Sequence, residues 1–239
     1  MDTIAVAIIC KTPSPGQSKT RLSPPLRPEE CAQISSCFIR DLSATIASLE
    51  ADGDVDGYAV YTPLGTEDSL RPLLPESFGL VPQGEGDLGQ RLDRGIADLL
   101  AAGHAGAILI NSDSPTLPRS ILRAAVEALK NGDRAVISPA LDGGYTLIGL
   151  SRPHPHLFAQ IPWSTDTVFR LTLERAREIE LPVIVLDPWY DVDDASSYAM
   201  LERELEGAPP SFMAPGAQSE DAPNTREFVR RRRDMAALP

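Results

Sequence analysis

The chain has 239 residues, 42% of them hydrophobic and 23% charged, with a formal net charge of -12. Those proportions fit one soluble globular domain with a tail, and the acidic balance argues against a nucleic-acid partner held by the general field. No apolar run is long enough to span a bilayer, and IAVAIIC is too short for a signal-peptide core with its flanks.

Ile4 to Cys10 is a continuous apolar run, as expected for a strand buried on both faces. The next stretch, KTPSPGQSKTRL, sets three cations, Lys11, Lys19 and Arg21, in one loop after that strand. It is a poor Walker A sequence, because its only glycine is Gly16 and a serine precedes Lys19. From Pro28 to Leu49, Cys31, Ile34, Phe38, Leu42, Ile46 and Leu49 recur at helical spacing. Tyr58 to Tyr61 reads as a second strand, followed by the proline-bounded LRPLLP and then GLVPQ. In GEGDLGQRL, Asp87 and Gln90 have the spacing of an N-cap and its capping-box partner, opening a helix with Leu88, Leu92, Ile96 and Leu99. Ala107 to Ile110 is a buried strand ending in NSDSP, and Pro118 opens a helix with Ile121, Leu122, Ala125 and Leu129 on one face. AVISP is a strand, and DGGYTLIGL is a glycine turn into another. Thr165 to Ile179 is predicted helical and Pro182 to Leu186 a strand. Asp194 is a candidate cap for a last helix with Tyr198, Leu201 and Leu205.

This alternation predicts a mostly parallel α/β sheet covered on both faces. We expect one domain over residues 1–206 and a disordered Pro/Ala-rich tail over 207–239. Arg230 to Arg233 in that tail reads as a solvated charge run, with RNA, anionic lipid or an acidic protein as the other possible contacts. Cys10, Cys31 and Cys37 are odd in number and form no CxxC, which favours a reduced, cytoplasmic setting.

In open α/β sheets, ligands bind beyond the carboxyl ends of the strands. The loops there carry Lys11, Lys19 and Arg21, then GEGDLG, Asp113, DGGY and DPWYDVDD. Cations at one strand end and carboxylates at two others suit a polyphosphate and its divalent metal. Each piece also has a plain reading: Asp87 as a helix cap, Gly143-Gly144 as a hairpin turn, Asp113 as a turn former. Asp191 and Asp193 would face the same way on an extended segment and could share a cation, or Asp193 or Asp194 could cap the helix. His104 lies away from these loops in sequence, and the HPH of His154 and His156 reads as an ordinary exposed loop.

KTPSPGQSKTRL, GDLGQRL, NSDSPTLP, ALDGGYTLIGL, IPWSTDTV and PWYDVDD occur in this order. Together they resemble a bacterial family catalogued as a domain of unknown function and commonly labelled glycosyltransferase. It is part of the GT-A, or nucleotide-diphospho-sugar transferase, superfamily. The resemblance spans about Ile4 to Leu205. Asn111 stands where a glycine is common, and Thr146 where a second tyrosine is common.

The resemblance implies a GT-A-like, Rossmann-like mixed sheet, a nucleotide on the first strand's loop, and Mg²⁺ or Mn²⁺ on aspartates, here Asp113, Asp191 and Asp193. The nucleotide would meet Pro15, Gly16, Lys19, Arg21 and the turn of Gly86, Asp87, Leu88 and Gly89. Asp142, Gly143, Gly144 and Tyr145, with Trp163, Ser164 and Thr165, would line the acceptor pocket. The catalytic set would be Lys11, Lys19, Arg21 and Asp113. The superfamily holds both nucleotidyl- and glycosyltransferases, so the donor is an NTP or an NDP-sugar and the acceptor a small molecule. Three cations in one loop suit the pyrophosphate leaving group of nucleotidyl transfer. A binding module without turnover is the non-enzymatic alternative.

Overall fold

The computed structural model describes residues 3–213 and 216–236. Seven strands form one sheet: β1 (Ile4–Lys11), β2 (Val55–Thr62), β3 (Gly79–Pro82), β4 (Gly106–Asn111), β5 (Ala135–Pro139), β6 (Tyr145–Leu150) and β7 (Val183–Val185). The helices are α1 (Pro28–Glu50), α2 (Glu67–Leu70), α3 (Leu88–Ala101), α4 (Arg119–Leu129), α5 (Val168–Glu178), α6 (Ala195–Leu205) and α7 (Pro223–Ala236). Strand order is β3-β2-β1-β4-β6-β5-β7. Only β6 runs against its neighbours β4 and β5. The carboxyl ends of β1, β4, β5 and β7 therefore share one sheet edge with the amino end of β6, and the quoted motifs converge there.

Residue alternation along β1 explains the layering. Ile4, Val6, Ile8 and Cys10 face the core layer that also holds Ile34, Phe38 and Leu42 of α1 and Leu122 and Val126 of α4. Ala5 and Ala7 face the other layer, with Leu92, Ile96 and Leu99 of α3. Small residues on that face let α3 sit close: a Cβ at Gly95 would lie 3.1 Å from Val60. Each fully buried Leu, Ile or Phe contributes roughly 1.5–3 kcal/mol.

The predicted caps form. Asp87 accepts the Gln90 N–H at 2.9 Å, and the Gln90 side chain returns to the Asp87 N–H at 2.9 Å. Asp194 accepts the Ser197 N–H at 2.8 Å, which leaves Asp193 available to the cleft. The helix expected from Thr165 starts at Val168, because Thr165 turns back to bond Pro162 O at 2.8 Å. LRPLLP, not expected as helical, contributes the end of α2 and a 3-10 turn at Arg71–Leu73.

The region expected to be a disordered tail differs most. Within it, residues 223–236 form α7, which packs on α1. Its apolar stripe is thin, chiefly Phe228 and Val229, so composition conceals it. A buried carboxylate from elsewhere in the chain stabilises it instead. Asp41, on the buried face of α1, accepts from Asn224 N (3.0 Å), Asn224 Nδ2 (2.7 Å), Thr225 N (2.8 Å) and Thr225 Oγ1 (2.6 Å). Residues 214–215 and 237–239 of that expected tail, like residues 1–2, lie outside the described residues.

Candidate active site

The loop after β1 is shaped by its small residues. Ser14 O accepts the N–H groups of Gln17 and Ser18, both at 3.1 Å, and the Ser14 N–H donates to Ser18 Oγ at 3.0 Å. Gly16 supplies the left-handed turn at φ +71°. Lys19 also adopts a left-handed backbone, φ +50°, which a non-glycine residue holds only where its surroundings fix it.

The Lys19 side chain shows what fixes it. Its Nζ lies 2.7 Å from Asp113 Oδ1, 2.8 Å from Asp193 Oδ1 and 2.9 Å from Val192 O. A lysine ammonium has three N–H donors, and these acceptors match that number. The side chain is 7% exposed. Burial disfavours its charge, but Asp113 and Asp193 outweigh this and hold its pKa above the ordinary lysine value. Lys19 thus ties the β1 loop to the loops after β4 and β7. Arg21 pairs with the other oxygen of Asp193 and is 72% exposed. Lys11 makes no ion pair among the described residues and is exposed.

A polar cleft of about 260 Å³ opens here, lined by Lys11, Lys19, Arg21, Ser35, Asp113 and Asp193 among others. Ser35 escaped the sequence reading, although a polar residue on the buried stripe of α1 is its visible signal. Gln83 had no such signal. Its buried amide donates to Cys10 O (2.8 Å) and Val60 O (3.1 Å), joining the end of β3 to β1 and β2. Asn111 Oδ1 accepts the Asp113 N–H at 3.2 Å, so the residue replacing a common glycine shapes the aspartate turn. Thr146 is buried and bonds Ser138.

The other expected site residues form a second cluster. Gly89 lies against Trp163: a Cβ there would stand 2.6 Å from the indole. Gly143, at φ +92°, lies against the Asp166 backbone, and its carbonyl accepts the Phe169 N–H at 2.8 Å. GDLG meets the tryptophan loop at Trp163, and DGGY meets the same loop at Asp166. Ser164 and Thr165 are exposed there, while Tyr145 is packed against the second core layer with its hydroxyl shut off from solvent. Pro15, Gly16, Gly86, Asp87 and Leu88 are exposed at the same sheet edge. The histidines lie elsewhere: His104 bonds Thr3 and Tyr58, His154 pairs with Asp133, and His156 with Glu178.

Asp191 joins the two clusters electrostatically. Burial raises its pKa first, and the nearby carboxylates of Asp193, Asp142 and Asp113 raise it further, to about 7. Crowded carboxylates of this kind are relieved by a divalent cation, and hard oxygen donors suit Mg²⁺ or Mn²⁺. Among the described residues no three His, Cys, Asp or Glu side chains form a group able to hold a metal, and Lys19 already engages Asp113 and Asp193.

The mixed seven-stranded sheet is that of the GT-A, nucleotide-diphospho-sugar transferase class. Within that class the chain belongs to the bacterial DUF2064 family, described as "Uncharacterized protein conserved in bacteria", whose profile matches residues 45–165. A crystal structure from Desulfovibrio desulfuricans G20, provisionally described as a nucleotide-diphospho-sugar transferase, is 28% identical. That match covers 97% of this chain and 98% of the other, with TM-score 0.80. A cytidylyltransferase from Leptospira borgpetersenii shares the fold at 11% identity, TM-score 0.56, over 98% of this chain and 97% of its own. Glucosyl-3-phosphoglycerate synthase from Mycobacterium tuberculosis, in complex with Mn²⁺, UDP and glucosyl-3-phosphoglycerate, does so at 15% identity and TM-score 0.50, over 88% and 82%. No curated protein sequence matches the chain. Among the described residues no helix is long and apolar enough to cross a membrane.

Proposed function

We propose that this chain is a metal-dependent transferase with a nucleotide donor, and that it moves a nucleotidyl group from an NTP to an acid or phosphate acceptor. The observation that carries this reading is the cleft in which Lys11 and Arg21 open toward Asp113. An acceptor oxygen attacks the α-phosphorus in line, the bond to the bridging oxygen breaks, and pyrophosphate leaves. Lys11 and Arg21 neutralise the charge on that leaving group. Arg21 is free to do so because its surface pair with Asp193 is worth only about 0–1 kcal/mol. Lys19, with its donors committed, holds Asp113 and the Asp191–Asp193 segment in place. Mg²⁺ or Mn²⁺, held by Asp113 with Asp191, would supply positive charge to the phosphate oxygens. Gly86, Asp87, Leu88 and Gly89 border the nucleotide. Asp142 to Tyr145 and Trp163 to Thr165 border the acceptor.

Glycosyl transfer from an NDP-sugar is the second reading, favoured by the 28% identical neighbour's description and by the commitment of Lys19, which leaves two cations for a diphosphate. Incubation with NTPs or NDP-sugars, Mg²⁺ and candidate acceptors separates the two. Pyrophosphate release supports nucleotidyl transfer and NDP release supports glycosyl transfer. Nucleotide-dependent thermal stabilisation with no product from any acceptor would support a binding module. A nucleotide at 100 times its dissociation constant stabilises by about 2.7 kcal/mol. No shift with any nucleotide at millimolar concentration would overturn the whole reading.

A further inference from the structure

The C-terminal segment bonds the chain just beyond the cleft on two sides, at residues that follow its lining loops. On the aspartate side, the Glu220 N–H donates to Thr116 O at 3.1 Å, and Glu220 Oε2 accepts the Arg119 N–H at 3.2 Å. Thr116 lies three residues beyond Asp113. Its hydroxyl donates to the buried Glu204 of α6 at 2.9 Å, and Glu204 also accepts from Tyr190, next to Asp191. On the cationic side, Arg232 of α7 donates to Pro25 O at 2.6 Å, four residues beyond Arg21, and its Nε lies 3.8 Å from Glu30. Between these grips, Asp41 takes the first turn of α7 through four hydrogen bonds. An anion at a helix N-terminus is favoured by the unpaired amides and by the helix dipole. Asp41 is 1% exposed, and among the described residues its carboxylate accepts only from Asn224 and Thr225.

We propose that residues 216–236 form a strap that holds the cationic loop and the Asp113 loop at a fixed separation, with Asp41 as the positioning residue that locks the strap down. Neither Asp41 nor Arg232 lines the cleft; they act through Pro25 and Thr116. The strap also gives the Arg-rich helix a role. Arg232 reaches back to the loop, while Arg230 and Arg231 pair with Glu227 of α7 and Arg233 with Glu206 at the end of α6. That the cleft takes a nucleotide is a separate proposition, so the test does not depend on turnover.

The test uses the full chain with Asp41→Ala, Arg232→Gln and Glu220→Gln, followed by hydrogen exchange at single amides. The reporters are Ser18, Leu22 and Leu26 on the cationic side and Leu117 and Val192 on the aspartate side, all hydrogen-bonded in the native fold. Asp41→Ala is expected to raise exchange at least tenfold on both sides while β1 and β4 keep their protection. Arg232→Gln is expected to loosen only the cationic side and Glu220→Gln only the aspartate side. The proposal is overturned if α7 amides exchange freely in Asp41→Ala but the reporters keep wild-type rates. Should Asp41→Ala fail to fold, unchanged reporters in both other variants overturn it equally. If wild-type protein binds nucleotide, Asp41→Ala should also weaken that binding several-fold. Failure of wild-type protein to bind any nucleotide counts against the transferase reading alone.

Discussion

Lys19 and Lys11 lie in the same loop and read alike in sequence, yet their surroundings assign them different physics. Lys19→Met would leave Asp113 and Asp193 close together without their shared cation. Removing one partner of a largely buried ion pair costs on the order of 3 kcal/mol, so urea unfolding should show a loss of that size. Lys11→Ala removes an exposed side chain and should leave stability within about 0.5 kcal/mol, while weakening nucleotide binding in calorimetry. Equal effects of the two variants on stability would contradict this division of roles. Asp191 permits a pH test. Its carboxyl titrates at about 7 in the fold, against about 3.9 in an unfolded chain. The folded state therefore binds more protons between those values, and stability declines as pH rises through that window. In metal-free buffer, wild-type melting temperature should fall from pH 4.5 to 7.5 relative to Asp191→Asn. Parallel curves would show that Asp191 is not crowded. Of these distinctions the sequence displays only the residue types. Which cation is neutralised depends on Asp113 and Asp193, which meet where the segment after β7 crosses back along the sheet edge and the Val192 N–H bonds Asp113 O at 2.8 Å.

Two glycines at the sheet edge, Gly89 and Gly143, leave no space for a side chain. Gly143 combines φ +92° with a Cβ position 2.2 Å from the Asp166 carbonyl oxygen. A left-handed backbone costs a non-glycine residue roughly 1–2 kcal/mol, and overpacking typically adds 1–3 kcal/mol. Gly143→Ala should therefore destabilise by at least about 2 kcal/mol in denaturant titration and disturb the Trp163 loop. A change below about 0.5 kcal/mol would mean that the two loops are not packed as described. The turn itself was legible as DGGY. Its contact with Asp166 was not, since a sequence does not show which loop covers a glycine. Helices with strong stripes and local caps, α1 and α3, were legible almost to the residue. Helix α7 was not, because its anchor, Asp41, lies 183 residues from Asn224.

Over the whole molecule, the charge of -12 and the run Arg230–Arg233 pull expectation in opposite directions. In the fold, Arg230 pairs with Glu227 and Asp234, Arg231 with Glu227, Arg232 with Glu30 and Arg233 with Glu206. Four carboxylates, Glu227, Asp234, Glu30 and Glu206, stand beside these four arginines on an acidic protein, so the local field is near balance and offers little to a polyanion. Fluorescence anisotropy with a short single-stranded RNA at about 0.15 M salt should show no saturable binding below roughly 10 μM. Tight, salt-sensitive binding would mean that those arginines leave their partners.

The sequence by itself determined the layered α/β architecture, the caps of α3 and α6, and the set of loops that meet at the carboxyl edge of the sheet. Hydrophobic periodicity, capping spacing and turn residues act over a few neighbours and can be read locally. Only the tertiary structure decided that Lys19 is held by Asp113 and Asp193, that Asp191 is crowded by carboxylates, and that the expected tail is anchored by Asp41 and bonds Thr116 and Pro25 through Glu220 and Arg232. Each of those is an electrostatic or hydrogen-bonded contact between distant parts of the chain. Their strength depends on separation and burial, which exist only once the sheet has brought the loops together.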